Sequence, residues 1–544
     1  MADVVLTYGP ATVKVKLPDS PSRASLQRYM RVRNPGFDPE KPDSIEFVDF
    51  FNMDQSSVLT GHVQVVEAWC VKNEFTCARK GWPTFEYVEL DPDILPGVTL
   101  RDYQIRAARS ILDGVRGICE SATGSGKSEI AIAVVRALGT PRTLYIVPTT
   151  AALDEMYQRF LKRGFNPSEV GRLGAGHKDF RPVTISVINS VFSGIKKREY
   201  EVVDLLRSAE IYFSDEVHHQ ATAFSWQAVA AECGAHRRIG MSGTPYKDNR
   251  SRFDPLYLHH QDGWLTGYFG DTLVYIPPSE LQASGQLTKC SVYSFDAGGS
   301  AVFANQWQAV YEKGIVENAT RNSRISTLCA NLADMGRRPL ISVERLEHGR
   351  ELQRILLDQF SISSICSYGG GSVIVPRKFA YRFQENFEVT DIELDKEARR
   401  RWKREKGTQA PLVEVDFVNI QSDFPFKDYF LTGELQVLIG SKIYNEALDL
   451  PQLTDLINGA GMKAQQQLRQ KIGRVLRLFK DKTMATIWEP YDDCHPYLEN
   501  HSKQRLDTAR IEGYRVILAD PYITSVRFRD STVPKCTRFW SISP

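Results

Sequence analysis

From Val115 to about Pro245, short apolar runs alternate with segments of helical character. GVRGICE, RTLYIVPT, TISVINSV, IYFSDE and RRIGMSG read as strands, and SEIAIAVVRAL reads as a helix. Strands that alternate with helices build βαβ units on a parallel sheet. A second series opens at RPLISVE near Pro339 and resumes at QVLIGSK. It continues through a Gln/Arg-rich helix near Gln465 to MATIWEP. The pattern therefore predicts an α/β chain with two parallel-sheet domains in series.

Punctuation refines this order. The Pro/Asp-rich stretch ELDPDILPG marks a boundary, so residues 1–95 are expected to form an accessory domain and 96–250 the first α/β domain. Residues 251–335 read as a connector, 336–520 as the second α/β domain and 521–544 as a tail. The stretch from about 369 to 422 interrupts the second series. It reads as a partly helical insertion, with seven basic and three acidic residues between Leu394 and Lys406 around Trp402.

Length agrees: 544 residues correspond to three to four units at about 150 residues each. A hydrophobic share of 42% and a charged share of 25% exclude a disordered chain, a collagen-like fibre and a disulfide-stapled scaffold. The net charge of +2 gives no argument for nucleic acid, but it conceals −4 in residues 1–95 and +6 in the remainder. No apolar run approaches the roughly 18 residues of a membrane span, and the start of the chain lacks signal-peptide features. The nine cysteines are scattered without a C-x-x-C, so reduced thiols in a cytoplasmic protein are expected, with no structural zinc and no membrane partner.

Three segments carry chemistry. SATGSGKS, Ser121 to Ser128, lies between a strand and a helix, the context of a phosphate-binding loop. Gly124 and Gly126, with Thr123 and Ser125 between and before them, let backbone amides turn toward phosphate oxygens. The helix N-terminus adds a favourable dipole, Lys127 would reach the β/γ-phosphates, and Ser128 would ligate Mg²⁺. IYFSDEVHH delivers two carboxylates at a strand end: Asp215 to hold the Mg²⁺ shell and Glu216 to polarise the attacking water. His218 lies where it could link this site to a neighbouring segment, whereas His219 reads as a packing or surface residue. The third segment, QQQLRQKIGRVLRLFK, has Arg474 and Arg477 on one helix face, suited to a γ-phosphate. By charge alone it reads equally as a solvated basic helix.

Taken in order, the segments resemble the superfamily 2 helicases and translocases over residues 98–520. LRDYQ resembles the adenine-recognition segment, SATGSGKS motif I, LYIVPTTAALDEMYQRF motif Ia and TISVINSV motif Ib. DEVH resembles motif II in its DExH form and MSGTPY motif III. PLISVERLEHGREL resembles motif IV, VLIGSKIYNEALDLP motif V and QKIGRVLR motif VI. GYFGDTLVYIPPSELQASGQLTK and EKGIVENATRNSRI are similar to connectors of the XPB-like and UvsW-like branch. The N-terminal region is similar to the small DNA-binding domain of UvsW-like phage enzymes. Motif V departs from the family at Ser441 and at Asn445, Glu446 and Ala447.

The resemblance implies two tandem RecA-like domains, the use of ATP and Mg²⁺, and DNA as partner, for a helicase or branch-migrating translocase of replication, repair or recombination. ATP would lie between the domains, with Arg101, Tyr103 and Gln104 at the adenine, Asp449 near the ribose, and the two arginines reaching across. His218, Thr244 and Gln470 would couple hydrolysis to movement. Thr149, Asn189, Ser190 and Ser441 would meet phosphates, although such positions also suit helix caps. Arg399, Arg400, Arg401 and Trp402 would add backbone contact and stacking, or form a solvated charged helix. If phage-encoded, the protein would work in the host cytoplasm. The alternatives are a DExH RNA helicase, a translocase subunit of a restriction or nuclease system, and a binding module without catalysis.

Overall fold

The computed structural model describes residues 2–37, 39, 44–122, 124–248, 250–367, 373–380, 389–393, 413–420, 426–432, 434–440, 453–461, 476, 478–479 and 482–525. The chain divides into two compact units, Met1–Pro277 and Pro278–Pro544. Among the described residues no helix is long and apolar enough to cross a membrane.

The first unit begins with an antiparallel-rich sheet in the order Phe51–Asn52, Ser57–Leu59, Thr12–Lys16, Val4–Thr7, Cys77–Lys80. Strict alternation in TVKVK places Val13 and Val15 inside and the lysines outside. The helices Ser20–Tyr29 and Val63–Lys72 close this core around Leu26, Val66 and Trp69. Asp19 starts the first helix by accepting from the Ser22 amide, which satisfies one unpaired helix-end N–H.

The rest of the first unit is an eight-stranded sheet. Its order is His177–Lys178, Val170–Gly174, Val183–Val187, Thr143–Val147, Ile211–Asp215, Arg237–Ser242, Arg116–Ser121, Thr272–Ile276. Every pairing is parallel except that of His177–Lys178. Thr143–Val147, Val183–Val187 and Arg237–Ser242 are buried at every position, as befits strands covered on both faces. Because these strands run the same way, residues 121–122, 124–128, 149, 189–190, 215–216 and 242–244 all follow or close strands at one edge of the sheet. Ligands of open α/β sheets gather at that edge.

The second unit is built on a ten-stranded sheet. Its order is Val389–Glu393, Val413–Ile420, Val373–Pro376, Ser364–Ser367, Val437–Gly440, Pro339–Ser342, Asp455–Asn458, Met484–Tyr491, Lys289–Asp296, Arg515–Leu518. The strands from Ser364–Ser367 to Arg515–Leu518 pair in parallel, and Val373–Pro376, Val413–Ile420 and Val389–Glu393 extend them antiparallel. Within the stretch read from sequence as a partly helical insertion, the described residues thus form three strands at one end of the sheet and one short helix, Arg377–Ala380. Two RecA-like parallel α/β domains in tandem, with a small N-terminal domain, is the architecture of the chain.

Candidate functional site

The first strand to consider, Arg116–Ser121, runs into the glycine-rich loop, and the helix Lys127–Ala137 leaves it. Gly124 has φ +88° and Gly126 φ +81°, left-handed values that a side chain resists. Lys127 Nζ donates to the Ser121 carbonyl at 3.2 Å, so the ammonium lies back across the loop. The Ser121 and Ser125 hydroxyls are buried and have no hydrogen-bond partner among the described residues. Loop amides, an ammonium and two unpartnered hydroxyls form a polar cradle of the kind a polyphosphate fills.

The first turn of the helix Asp102–Gly114, with its cap Arg101, supports this loop. Tyr103 Oη and Gln104 Nε2 each donate to the Ser125 carbonyl at 3.0 Å, and both side chains are buried. Arg101 donates from its guanidinium to Tyr103 Oη and from its backbone to Gln104 Oε1. A Cβ on Gly126 would lie 2.4 Å from Gln104 Nε2. In this arrangement the Gln104 amide is committed to the loop backbone, a contact that the sequence order alone does not reveal.

The carboxylates close the strand Ile211–Asp215. Burial and the charge of Glu216 raise the Asp215 carboxyl well above its usual range, while Lys127 pulls the other way. The nearby positive charge does not offset burial and the Glu216 charge, and a divalent cation would add to it. Burial also opposes the Glu216 carboxylate, but its contact with His218 and the charge of Lys127 outweigh that and hold it low. Glu216 sits at φ +48°, ψ +46°, a left-handed conformation that a non-glycine residue adopts at a cost. The turn aims its side chain at His218 Nδ1, 3.3 Å away. Ser242 Oγ completes a triangle, 3.3 Å from His218 Nδ1 and 3.4 Å from Glu216, and accepts from the Thr244 amide at 3.1 Å. The strand carrying Asp215 is thereby tied to the start of the next strand's loop. Sequence reasoning named His218 and Thr244 but passed over Ser242; its hydroxyl at the end of the strand Arg237–Ser242 was the available signal. His219 stacks on Trp226 with ring centres 5.2 Å apart, and burial lowers its pKa to about 4.

The other named residues divide into two groups. Thr149 is exposed and caps the helix Thr150–Lys162 by accepting from the Ala152 amide. Asn189 is exposed and Ser190 half-buried in the first turn of the helix Ile188–Lys197. Thr123, Ser441, Asp449, Gln470, Arg474, Arg477, Arg399, Arg400, Arg401 and Trp402 lie outside the described residues.

The chain is similar to several known proteins. Residues 97–247 match the family model described as Type III restriction enzyme, res subunit. The chain is similar to the DNA 3'-5' translocase XPB2 of Sulfurisphaera tokodaii, with 23% identity over 73% of this chain and 82% of the relative. It is 21% identical to the ATP-dependent DNA helicase uvsW of Enterobacteria phage T4, over 72% of this chain and 68% of that one. Of solved structures, a crystal structure of T4 UvsW covers 95% of this chain and 99% of its own, with 15% identity and a TM-score of 0.41.

Proposed function

We propose, from the premise that the chain is a superfamily 2 helicase of the branch that holds XPB-type and UvsW-type enzymes, that it is an ATP-dependent DNA helicase or translocase. The observation that carries the reading is the joined edge of the first sheet. There Glu216, His218 and the Ser242–Thr244 segment meet through hydrogen bonds, and the charge of Lys127 from the phosphate loop acts on both carboxylates. Bound Mg²⁺ would supply charge neutralisation for the transferring phosphoryl group, held by Ser128 and Asp215. Lys127 would bind the phosphates, and Glu216 would orient and accept a proton from the attacking water. His218 and Ser242 hold Glu216 and carry its position to Thr244, the proposed coupling residue. Arg474 and Arg477 are the proposed γ-phosphate arginines, and Arg101, Tyr103 and Gln104 the proposed adenine side.

The finer reading is that forked or branched DNA is the substrate, in the host cytoplasm if the chain is phage-encoded. Thr149, Asn189 and Ser190 are proposed phosphate contacts, since their edge position suits sequence-independent backbone contact. ATP turnover by the full chain tests the reading, measured with no nucleic acid, with single strands, duplexes, forks and four-way junctions, and with RNA of equal length. Stimulation by DNA, strongest with branched forms, is expected; turnover indifferent to every DNA would sink the proposal. The family model's description favours a second reading, the translocase subunit of a restriction system. Cleavage of duplex DNA by the chain alone would select it.

A further inference from the structure

Behind the Ser242–Thr244 segment lies a carboxylate that no motif names. Asp262 is fully buried at the start of the helix Asp262–Phe269. Its two oxygens accept from the Lys247 amide at 2.9 and 3.1 Å, from the Asp248 amide at 2.9 Å and from Ser251 Oγ at 3.0 Å. His259 Nδ1 lies 3.5 Å from the same carboxylate. These donors belong to the chain that leaves Thr244, so one buried anion fixes the path of the loop directly after the coupling segment.

The same helix is the seat of the N-terminal domain. Gly61 is pressed against it so closely that a Cβ would lie 1.9 Å from the Thr266 carbonyl oxygen. Gly263 and Gly267, one turn apart, leave room for the Phe50 ring and for Leu59: added Cβ atoms would come within 2.3 and 2.4 Å of them. His62 Nε2 meets Thr266 Oγ1 at 3.3 Å, and Phe50 packs edge-on against Trp264. On its other side Leu265 and Phe269 are buried in the core of the large sheet. A short helix locked on three sides transmits displacement, because close-packed interiors shift between arrangements and do not deform smoothly.

We propose that Asp262 is a positioning residue for the Ser242–Thr244 segment, and that its helix couples the state of the ATP site to the N-terminal domain. The inference rests on the motor reading above for its ATP site. It goes beyond that reading by giving the N-terminal domain a part in turnover that does not require it to bind DNA.

Asp262→Asn keeps the side chain's shape but sets an amide donor against amide donors. Phe50→Leu alters only the far end of the path. In the full chain, Phe50→Leu, which lies away from the ATP site, is expected to keep DNA-free ATP turnover within about twofold of wild type. Each variant should lower DNA-stimulated kcat about tenfold at saturating DNA, with the half-saturating DNA concentration unchanged. The double variant should be no worse than the more severe single variant, as coupled sites require. Wild-type stimulated kcat in either folded variant, or losses that multiply in the double variant, would overturn the proposal. If circular dichroism shows Asp262→Asn to be unfolded, Phe50→Leu alone decides by the same criterion. A DNA-independent arm separates this proposal from the motor reading: hydrogen exchange of residues 57–66 with and without Mg²⁺ and a non-hydrolysable ATP analogue. A nucleotide-dependent change in wild type that is lost in the variants supports the coupling, and no change in wild type overturns it. A wild-type protein without DNA stimulation but with that exchange response would instead overturn the motor reading alone.

Discussion

At the scale of single residues, chemistry follows from what each side chain is allowed to meet. Lys127 has one carbonyl to lean on and a cradle of unfilled donors around it, so Lys127→Ala is expected to lower ATP hydrolysis at least about a hundredfold in a phosphate-release assay. Retained DNA-stimulated hydrolysis in that variant would refute the assigned site. Lys127, Asp215 and Glu216 were legible in the sequence because each belongs to a contiguous motif between recognisable elements. The partners of Gln104 and Glu216 were not, because Ser125 lies in the phosphate loop and Ser242 ends another strand, and only folding brings them near. His62 is a further residue that folding defines. Burial against the helix Asp262–Phe269 lowers its pKa to about 4, with a hydrogen bond at Gly263 working the other way. The unfolded chain takes up a proton near pH 6.5 and the folded chain does not, so this histidine's contribution to stability falls as pH drops from about 6.5 toward 4. Denaturant titrations should show wild type losing up to about 1.4 kcal/mol more per pH unit in that window than His62→Gln, which cannot titrate. Equal slopes would mean that His62 is not held neutral.

At the scale of elements, two features decide how the edge of the first sheet is held and what it presents. Glu120, the penultimate residue of the strand that leads into the phosphate loop, is ion-paired with Arg252, and both side chains are buried. The Arg252 guanidinium also lies over the Tyr275 ring at 4.4 Å. Removing one partner of such a pair strands a charge, so Arg252→Ala is expected to cost about 3–5 kcal/mol in chemical denaturation. A loss under about 1 kcal/mol would mean the pair is hydrated. The helix Ile188–Lys197 carries Asn189, Phe192 and Lys196 at spacings of three and four, hence on one face. Lys196 Nζ lies 4.4 Å from the centre of the Phe192 ring, which packs edge-on against Phe224, itself 72% exposed. Cations beside aromatic faces suit a nucleic-acid strand. Lys196→Ala should therefore weaken DNA binding and reduce the slope of log affinity against log salt by about 1, and an unchanged slope would remove this helix from the interface. The sequence pattern reads TISVINSV as a strand, whereas the strand ends at Val187 and Ile188 already opens the helix; that Phe224 meets Phe192 was set by tertiary packing.

At the scale of the whole molecule, a net charge of +2 on 544 residues leaves association with a polyanion to local surfaces. DNA-stimulated turnover is accordingly expected to fall steeply between about 50 and 200 mM salt, while DNA-free turnover changes little. Equal sensitivity of both would point to salt acting on the nucleotide site. The sequence by itself determined the α/β class, the two parallel-sheet series and the phosphate and carboxylate motifs. These depend on local periodicity and on residues adjacent in the chain, which water and backbone geometry read directly. It did not determine that the stretch near 369–422 supplies strands at one end of the sheet, because strand pairing depends on which strand lies alongside. Nor did it place residues 251–276, which supply the helix beneath the N-terminal domain and a strand beside the phosphate-loop strand. The close approach of Gly61 to Thr266 and the nest of amides around Asp262 were decided by tertiary structure alone. Both join positions distant in the chain, and their stability comes from packing and buried hydrogen bonds that no local pattern encodes.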